Sequence, residues 1–235
     1  MNTETQTQNP IPIKIKIRNT QIENKVVLYG PNRAGKSLIV KSILSAILSR
    51  RSVDVGLVEV ELNGPMSVVA IDESGMKQFG VVNVFNINEF AFADWSGVAV
   101  VDPAVAKRLY LEVYYDKYYD PDGGWVPLSY LSYGQRRQLA IEAALSAANV
   151  VLIENFEAGL HADAVIDLVK QIAESNATVI LETHSGLVLK AAQRYGLALY
   201  YVEPLARLRR VERLDDHEMF ARELSAWNAV VVRQQ

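Results

Sequence analysis

The stretch GPNRAGKS, Gly30 to Ser37, constrains this chain more than any other feature. It fits G-x-x-x-x-G-K-[ST], and its flanks fit too. KVVLYG, residues 25 to 30, is a continuous apolar run of the kind found in parallel strands buried on both faces. Leu38, Ile39, Ile43, Leu44, Ile47 and Leu48 then recur at helical spacing. A glycine-rich turn between such a strand and such a helix aims successive backbone N–H groups at phosphate oxygens, and the helix start adds its positive end. Gly30, Pro31, Asn32, Arg33, Ala34 and Gly35 are therefore the expected cradle. Lys36 is placed to reach the β- and γ-phosphates of a nucleotide and Ser37 to ligate Mg2+.

Around that motif, strand and helix patterns alternate. IPIKIKIR, Ile11 to Arg18, alternates apolar and basic residues and reads as a half-exposed strand with Lys14 and Lys16 facing water. Between 53 and 92, VDVGLVEV, SVVAID and FGVVNVF are short β-like runs broken by Gly, Pro and Asn, which predicts a small antiparallel subdomain. GVAVVDP ends a further strand, with Asp102 placed to cap a helix and Pro103 in its first turn. That helix is expected to carry Tyr110, Tyr114 and Tyr118 and to end near DPDGGW. A helix from about Ser132 to Ala148 follows, then strands VVLIE, TVILE and ALYYVE separated by helical stretches, a last strand RLRRVERL and an amphipathic helix DDHEMFARELSAWN. The expected fold class is α/β with a mostly parallel central sheet. The polar residues 1–10 are expected to be a disordered leader and 11–235 a single domain.

Composition narrows function mainly by exclusion. At 235 residues, 50% hydrophobic, the chain can bury one full core. A formal charge of −3 gives no global pull toward nucleic acid or an anionic membrane. There is no cysteine for a disulfide or thiolate metal site, and His161, His184 and His217 are scattered. The start lacks signal-peptide order, and no apolar run approaches the roughly 18 residues of a membrane span. The expectation is a cytoplasmic protein without direct membrane insertion.

LSYGQRRQLAIEAAL, from Leu131, is the second informative stretch. Ser132 and Gly134 stand at a helix start, where unpaired amide N–H groups and the helix dipole make another anion site. Together, GPNRAGKS, LSYGQRR, VVLIENFEAGLH and TVILETHSG resemble the ABC ATPase superfamily, whose signature is LSGGQ followed by basic residues; Tyr133 replaces the first of its two glycines. The resemblance implies a P-loop NTPase fold, an ABC-ATPase head with a small antiparallel β subdomain (53–92) and a helical signature subdomain (102–148). It also implies ATP with Mg2+, and an ATP-sandwiched homodimer in which Ser132, Gly134 and Gln135 of one copy meet the γ-phosphate held by the other.

In that superfamily an apolar strand ends in Asp-Glu, the Asp holding the metal shell and the Glu polarising the attacking water. Here Glu154 occupies the metal position and Asn155 the base position. Asn155 cannot accept a proton, although its amide can orient a water or hydrogen-bond the phosphate. Glu157 matches a motif position without being the usual base. AGLHAD corresponds to the loop that crosses to the other copy, with His161 and Asp163 either contacting it or starting a helix. His184 matches the switch histidine that senses the γ-phosphate, and Glu182 is a further acidic candidate. Gln78, the only glutamine between Lys36 and Gln135, is the default metal-side residue of the Q-loop.

IKIKIRNTQIENKVVLYGPNRAGKS, with ENFEAGLH and ETHS, looks most like the soluble branch containing SMC-type, RecF-type and OLD-type ATPases. Only 93 residues lie between Ser37 and Leu131, too few for coiled-coil arms, and 51 follow His184, so a bare head without a nuclease domain is expected. Its output would then lie in a separately encoded partner protein, driven or timed in a nucleic-acid or defence-related transaction. Two alternatives stand beside this: a hydrolysis-impaired ATP-dependent switch, because Asn155 replaces the usual Glu, and the nucleotide-binding subunit of a transporter. The cluster LYLEVYYDKYYD with Trp125 either stacks on bases, binds a partner, or is half core and half surface. Arg136, Arg137, Arg207, Arg209, Arg210 and Arg213 either track phosphates or are solvated.

Overall fold

The computed structural model describes residues 13–49, 57–62, 64–83, 86–94, 99–101, 117–120, 124–127, 131–216 and 220–221. Its strands are β1 (Ile13–Ile17), β2 (Thr20–Ile22), β3 (Lys25–Tyr29), β4 (Val58–Leu62), β5 (Met66–Ile71), β6 (Gly75–Asn83), β7 (Asn86–Asp94), β8 (Ala99–Val101), β9 (Lys117–Asp120), β10 (Gly124–Pro127), β11 (Val150–Ile153), β12 (Thr178–Glu182), β13 (Ala198–Glu203) and β14 (Arg207–Val211). The described helices are α1 (Lys36–Ser49), α2 (Tyr133–Ala147), α3 (Ala162–Glu174) and α4 (Gly186–Arg194).

β3, β11 and β12 are apolar along nearly their whole length because both faces of their sheet are covered. They belong to a sheet of order β14-β13-β3-β12-β11-β5-β6-β7-β8. The five strands from β13 to β5 run parallel, and β14 at one edge and β6 to β8 at the other are antiparallel extensions. Alternate residues of one strand face opposite sides. Val26, Leu28, Leu152 and Ile180 pack with Ile39, Ile43 and Ile47 of α1 and with the isoleucines of β1. Val27, Tyr29, Ile153 and Leu181 pack with Ile141 of α2, Leu168 of α3 and Val188 of α4. The α/β class with a parallel centre and a small antiparallel sheet, read from the pattern, is the architecture found.

Several local readings change. The small antiparallel sheet is β2-β1-β4, so only the first run of the 53–92 stretch joins it. β5 instead pairs parallel with β11, because SVVAI is apolar enough to be covered on both faces. Tyr118 lies in a strand: β9 and β10 form an antiparallel hairpin that pairs Tyr118 with Val126. Aromatic residues suit strands. Tyr110 and Tyr114, the 1–10 leader and most of the last predicted helix lie outside the described residues. On α1 the buried stripe is Ile39, Val40, Ile43, Ala46 and Ile47, whereas Leu38 is 58% exposed.

Candidate functional site

β3 ends at Tyr29, and the chain turns at Gly30 with φ of +150°, where a Cβ would stand 2.5 Å from the carbonyl oxygen of Val202 in neighbouring β13. No other residue type fits that approach. The loop then delivers Lys36 and Ser37 as the first residues of α1. Lys36 is 4% exposed, and its ammonium donates to the carbonyls of Gly30 at 3.0 Å and Pro31 at 3.1 Å. Burial lowers its pKa, and the negative charges of Glu182 and Glu157 act in the opposite direction. A buried cation whose hydrogen bonds go to neutral carbonyls is suited to an incoming anion.

The ends of two adjacent strands complete the site. At the end of β12, Glu182 is 3% exposed. Its Oε2 accepts a hydrogen bond from Ser37 Oγ at 2.7 Å, and its Oε1 lies 3.7 Å from His184 Nε2. Just beyond β11, the Glu154 carboxylate pairs with Lys41 of α1 at 3.4 Å. Burial raises the pKa of Glu154, and Lys41 opposes that shift. Asn155 has a left-handed backbone with φ of +47°, a conformation asparagine tolerates better than glutamate does, and its Nδ2 donates to Glu73 Oε1 at 3.1 Å. Both oxygens of Glu157 are engaged, one by Thr183 Oγ1 at 2.7 Å and the other by the His184 N–H at 2.9 Å.

A cavity of about 300 Å³ opens between these groups, lined by Asn32, Arg33 and Gly35 of the loop, by Lys36, Ser37 and Leu38, and by Asn155, Glu182 and His184. The structure thus brings Lys36, Ser37, Asn155, Glu182 and His184 to the wall of one cavity. Glu154 and Glu157 are not part of that lining. Gln78 falls in β6 opposite Val69, and its side chain lies outside the described residues.

The start of α2 is built differently. Ser132 and Gln135 form a reciprocal capping box: Ser132 Oγ accepts from the Gln135 N–H at 3.2 Å and Gln135 Oε1 from the Ser132 N–H at 2.8 Å. At Gly134 a Cβ would sit 2.1 Å from the carbonyl oxygen of Gly159, so this glycine has a packing reason within its own chain. His161 is the N-cap residue of α3, and Asp163 lies in that helix's first turn. Arg137 is fully buried and donates to the carbonyls of Glu154 and Asn155, the latter at 2.8 Å, fastening α2 to the end of β11. It is therefore no part of a phosphate-tracking surface, and Arg209 and Arg210 are turned to Glu203 and Glu23. Sequence reasoning missed Lys41 and Glu73. Glu73 lies 82 residues from Asn155, and no local spacing reports such a contact.

The donor set suits the expected ligands. Mg2+ is commonly held by one or two carboxylates together with substrate phosphates, and a serine hydroxyl beside a carboxylate offers hard oxygen donors of that kind. A family model described as "AAA domain, putative AbiEii toxin, Type IV TA system" matches residues 70–190, just over half of the chain. The chain belongs to this AAA-domain family. Its motif order agrees with the ABC-type ATPases. Among solved structures, this AAA domain is similar to the SMC head domain from Thermotoga maritima, at 14% identity over 86% of this chain and 98% of that one, with a TM-score of 0.43. It is also similar to an ATP binding subunit of an ABC transporter, at 15% identity over 91% and 99%, with a TM-score of 0.46. No curated protein sequence matches the AAA domain. Among its described residues no helix is long and apolar enough to cross a membrane.

Proposed function

We propose that the chain is a Mg-dependent ATPase whose two copies close around two ATPs, and that the closed pair drives or times the nucleic-acid or defence-related activity of a separately encoded partner in the cytoplasm. The observation that carries this reading is the buried Lys36 ammonium, whose hydrogen bonds among the described residues go to neutral carbonyls, beside Ser37, Glu182 and His184 in one cavity. Lys36 and the loop N–H groups hold the β- and γ-phosphates, Ser37 meets the cation, and His184 stands where the γ-phosphate is sensed. The cation, when bound, neutralises charge on the transferring phosphoryl group. Ser132 and Gln135 are exposed, which supports a role for them in meeting nucleotide held by another copy. The family's description names a Type IV TA system, which supports a two-component arrangement.

A second reading is favoured by Asn155. Asn155 lines the cavity but its amide cannot take a proton, and loss of a general base typically lowers a rate about 10²–10⁴-fold. On this reading ATP holds a long-lived closed pair that turns over slowly.

The deciding experiment measures Mg-dependent phosphate release from ATP by the wild type, Lys36→Ala, Asn155→Asp and Asn155→Glu. Asp is included because it fits a left-handed backbone better than Glu. Wild-type turnover well above the Lys36→Ala background supports the ATPase. A silent wild type with an active Asn155→Asp or Asn155→Glu supports the switch. Light scattering in Mg-ATP tests the closing pair, and a wild type that stays monomeric at micromolar concentration sinks it.

A further inference from the structure

We infer that Glu73 is a positioning residue for hydrolysis: its carboxylate holds the Asn155 carboxamide so that Oδ1 is the atom offered to the attacking water. The inference rests on the Mg-dependent ATPase reading and gives the amide in the base position a way to serve it.

Register brings the two residues together. β5 and β11 are parallel neighbours with Ile71 opposite Ile153, so two further residues on each chain set Glu73 beside Asn155. Both continuations are held in place. Asp72 Oδ1 accepts from the N–H groups of Ser74 at 2.7 Å and Gly75 at 3.2 Å, which closes a tight turn around Glu73. On the other strand the Glu154 N–H donates to the Ile71 carbonyl at 2.9 Å, and Asn155 then turns with φ of +47°. Fully buried Arg137 spans the two, donating to the carbonyls of Asp72 at 3.4 Å, of Glu154, and of Asn155 at 2.8 Å.

Chemistry fixes which way the amide faces. Glu73 Oε1 stands 3.1 Å from the Asn155 carboxamide, and a carboxylate only accepts, so the amide presents Nδ2 to it. Reversing the amide would set two acceptors against each other. Oδ1 remains, and among the described residues it accepts no hydrogen bond. Asn155 lines the cavity with Lys36, Ser37 and His184, whereas Glu73 is exposed and not part of that lining, so Glu73 acts through the amide.

A neutral acceptor suffices for the step. The water oxygen bonds to the γ-phosphorus as the bond to the β–γ bridging oxygen breaks. ADP leaves with that electron pair, and the water proton passes to a γ-phosphate oxygen. Phosphoryl transfer of this kind depends mainly on placing the nucleophile, and a carboxamide can orient a water.

The test uses the full chain and reads steady-state Mg-ATP turnover and Tm. In the metal-free protein it also reads the side-chain NH2 resonances of Asn155, identified by their loss in Asn155→Ala. Glu73→Ala is expected to lower kcat up to about 10²-fold, the cost of a misplaced reacting group, with KM within about threefold of wild type. Its Tm should stay close to wild type because Glu73 is exposed, and the Asn155 NH2 resonances should shift. Glu73→Gln keeps an acceptor for Nδ2 and should recover most of the lost kcat. Asn155→Ala should lose about as much as Glu73→Ala, and the double variant no more than either, because both remove the same placement. The inference is overturned if Glu73→Ala leaves kcat within about threefold of wild type, leaves the NH2 resonances unmoved, or shows its defect in KM or Tm alone. It is also overturned if Glu73→Gln is as slow as Glu73→Ala, since Glu73 would then be taking the proton itself. A wild type that binds ATP but releases no phosphate above the Lys36→Ala background overturns the ATPase reading and this inference with it. An active wild type with an unaffected Glu73→Ala overturns this inference alone.

Discussion

β11 and β12 lie side by side, and a glutamate stands where each strand ends, yet the two sites are wired in different ways. At the first, Glu154 faces Lys41, Arg137 grips the backbone, and Asn155 turns through a left-handed φ to reach the cavity. At the second, Glu182 touches Ser37 directly, and the following Thr183 and His184 are held by Glu157. One end is fastened to α1 and α2, and the other contributes Glu182 and His184 to the cavity lining. A carboxylate paired with a lysine on a neighbouring helix is held by the scaffold, whereas one whose charge acts on the phosphate-loop lysine is coupled to whatever that lysine binds.

Mutations can break this contrast, and the largest effect is expected on the ligand side. Lys36→Ala removes the buried ammonium and should lower phosphate release roughly 10²–10³-fold, as loss of one transition-state charge contact does. A stopped-flow phosphate assay at saturating ATP measures it, and a drop below about threefold would place the phosphates elsewhere. Arg137→Ala addresses the protein-held end. It leaves two carbonyls without their donor at roughly 1–3 kcal/mol each. The loss should appear in urea unfolding, with metal-free nucleotide affinity little changed.

Gly134→Ala should cost about 1–3 kcal/mol, because the new methyl must displace the Gly159 backbone. For a domain of this size that lowers Tm by about 2–4 °C per kcal/mol. An unchanged Tm would mean that α2 docks more loosely than described.

Glu157→Gln keeps one acceptor and loses the other, for about 1 kcal/mol, and should raise amide exchange at His184 before any other site.

The smallest effect concerns pH. Burial raises the Glu154 pKa above the ordinary 4.5, so in this range the folded state binds the proton more readily than the unfolded state. The stability this group contributes is fully present below pH 4.5 and is lost as pH rises through the folded value. Glu154→Gln should flatten that part of the unfolding profile, and an unaltered slope would mean that Lys41 fully offsets the burial.

Much of the fold was legible because it depends on local periodicity. A two-sided apolar run reads as a parallel strand, and GPNRAGKS reads as a phosphate loop, whatever surrounds them. Misreadings arose where partners decide. Tyr110, Tyr114 and Tyr118 have helical spacing, but Tyr118 pairs with Val126 across a hairpin, and pairing overrides spacing. SVVAID looked like part of a small subdomain until β11 supplied a parallel neighbour.

The sequence by itself determined the strand–loop–helix unit, the presence of Lys36 and Ser37 at a helix start, and the amide at Asn155, because each follows from residue type and short-range order. Only the tertiary structure decided which acid contacts Ser37. Glu154 and Glu182 both follow apolar strands, and their difference lies in the strand order β3-β12-β11 and in a lysine on another element. Contacts between residues far apart in sequence carry no local signature, so the choice appears only once the sheet is assembled.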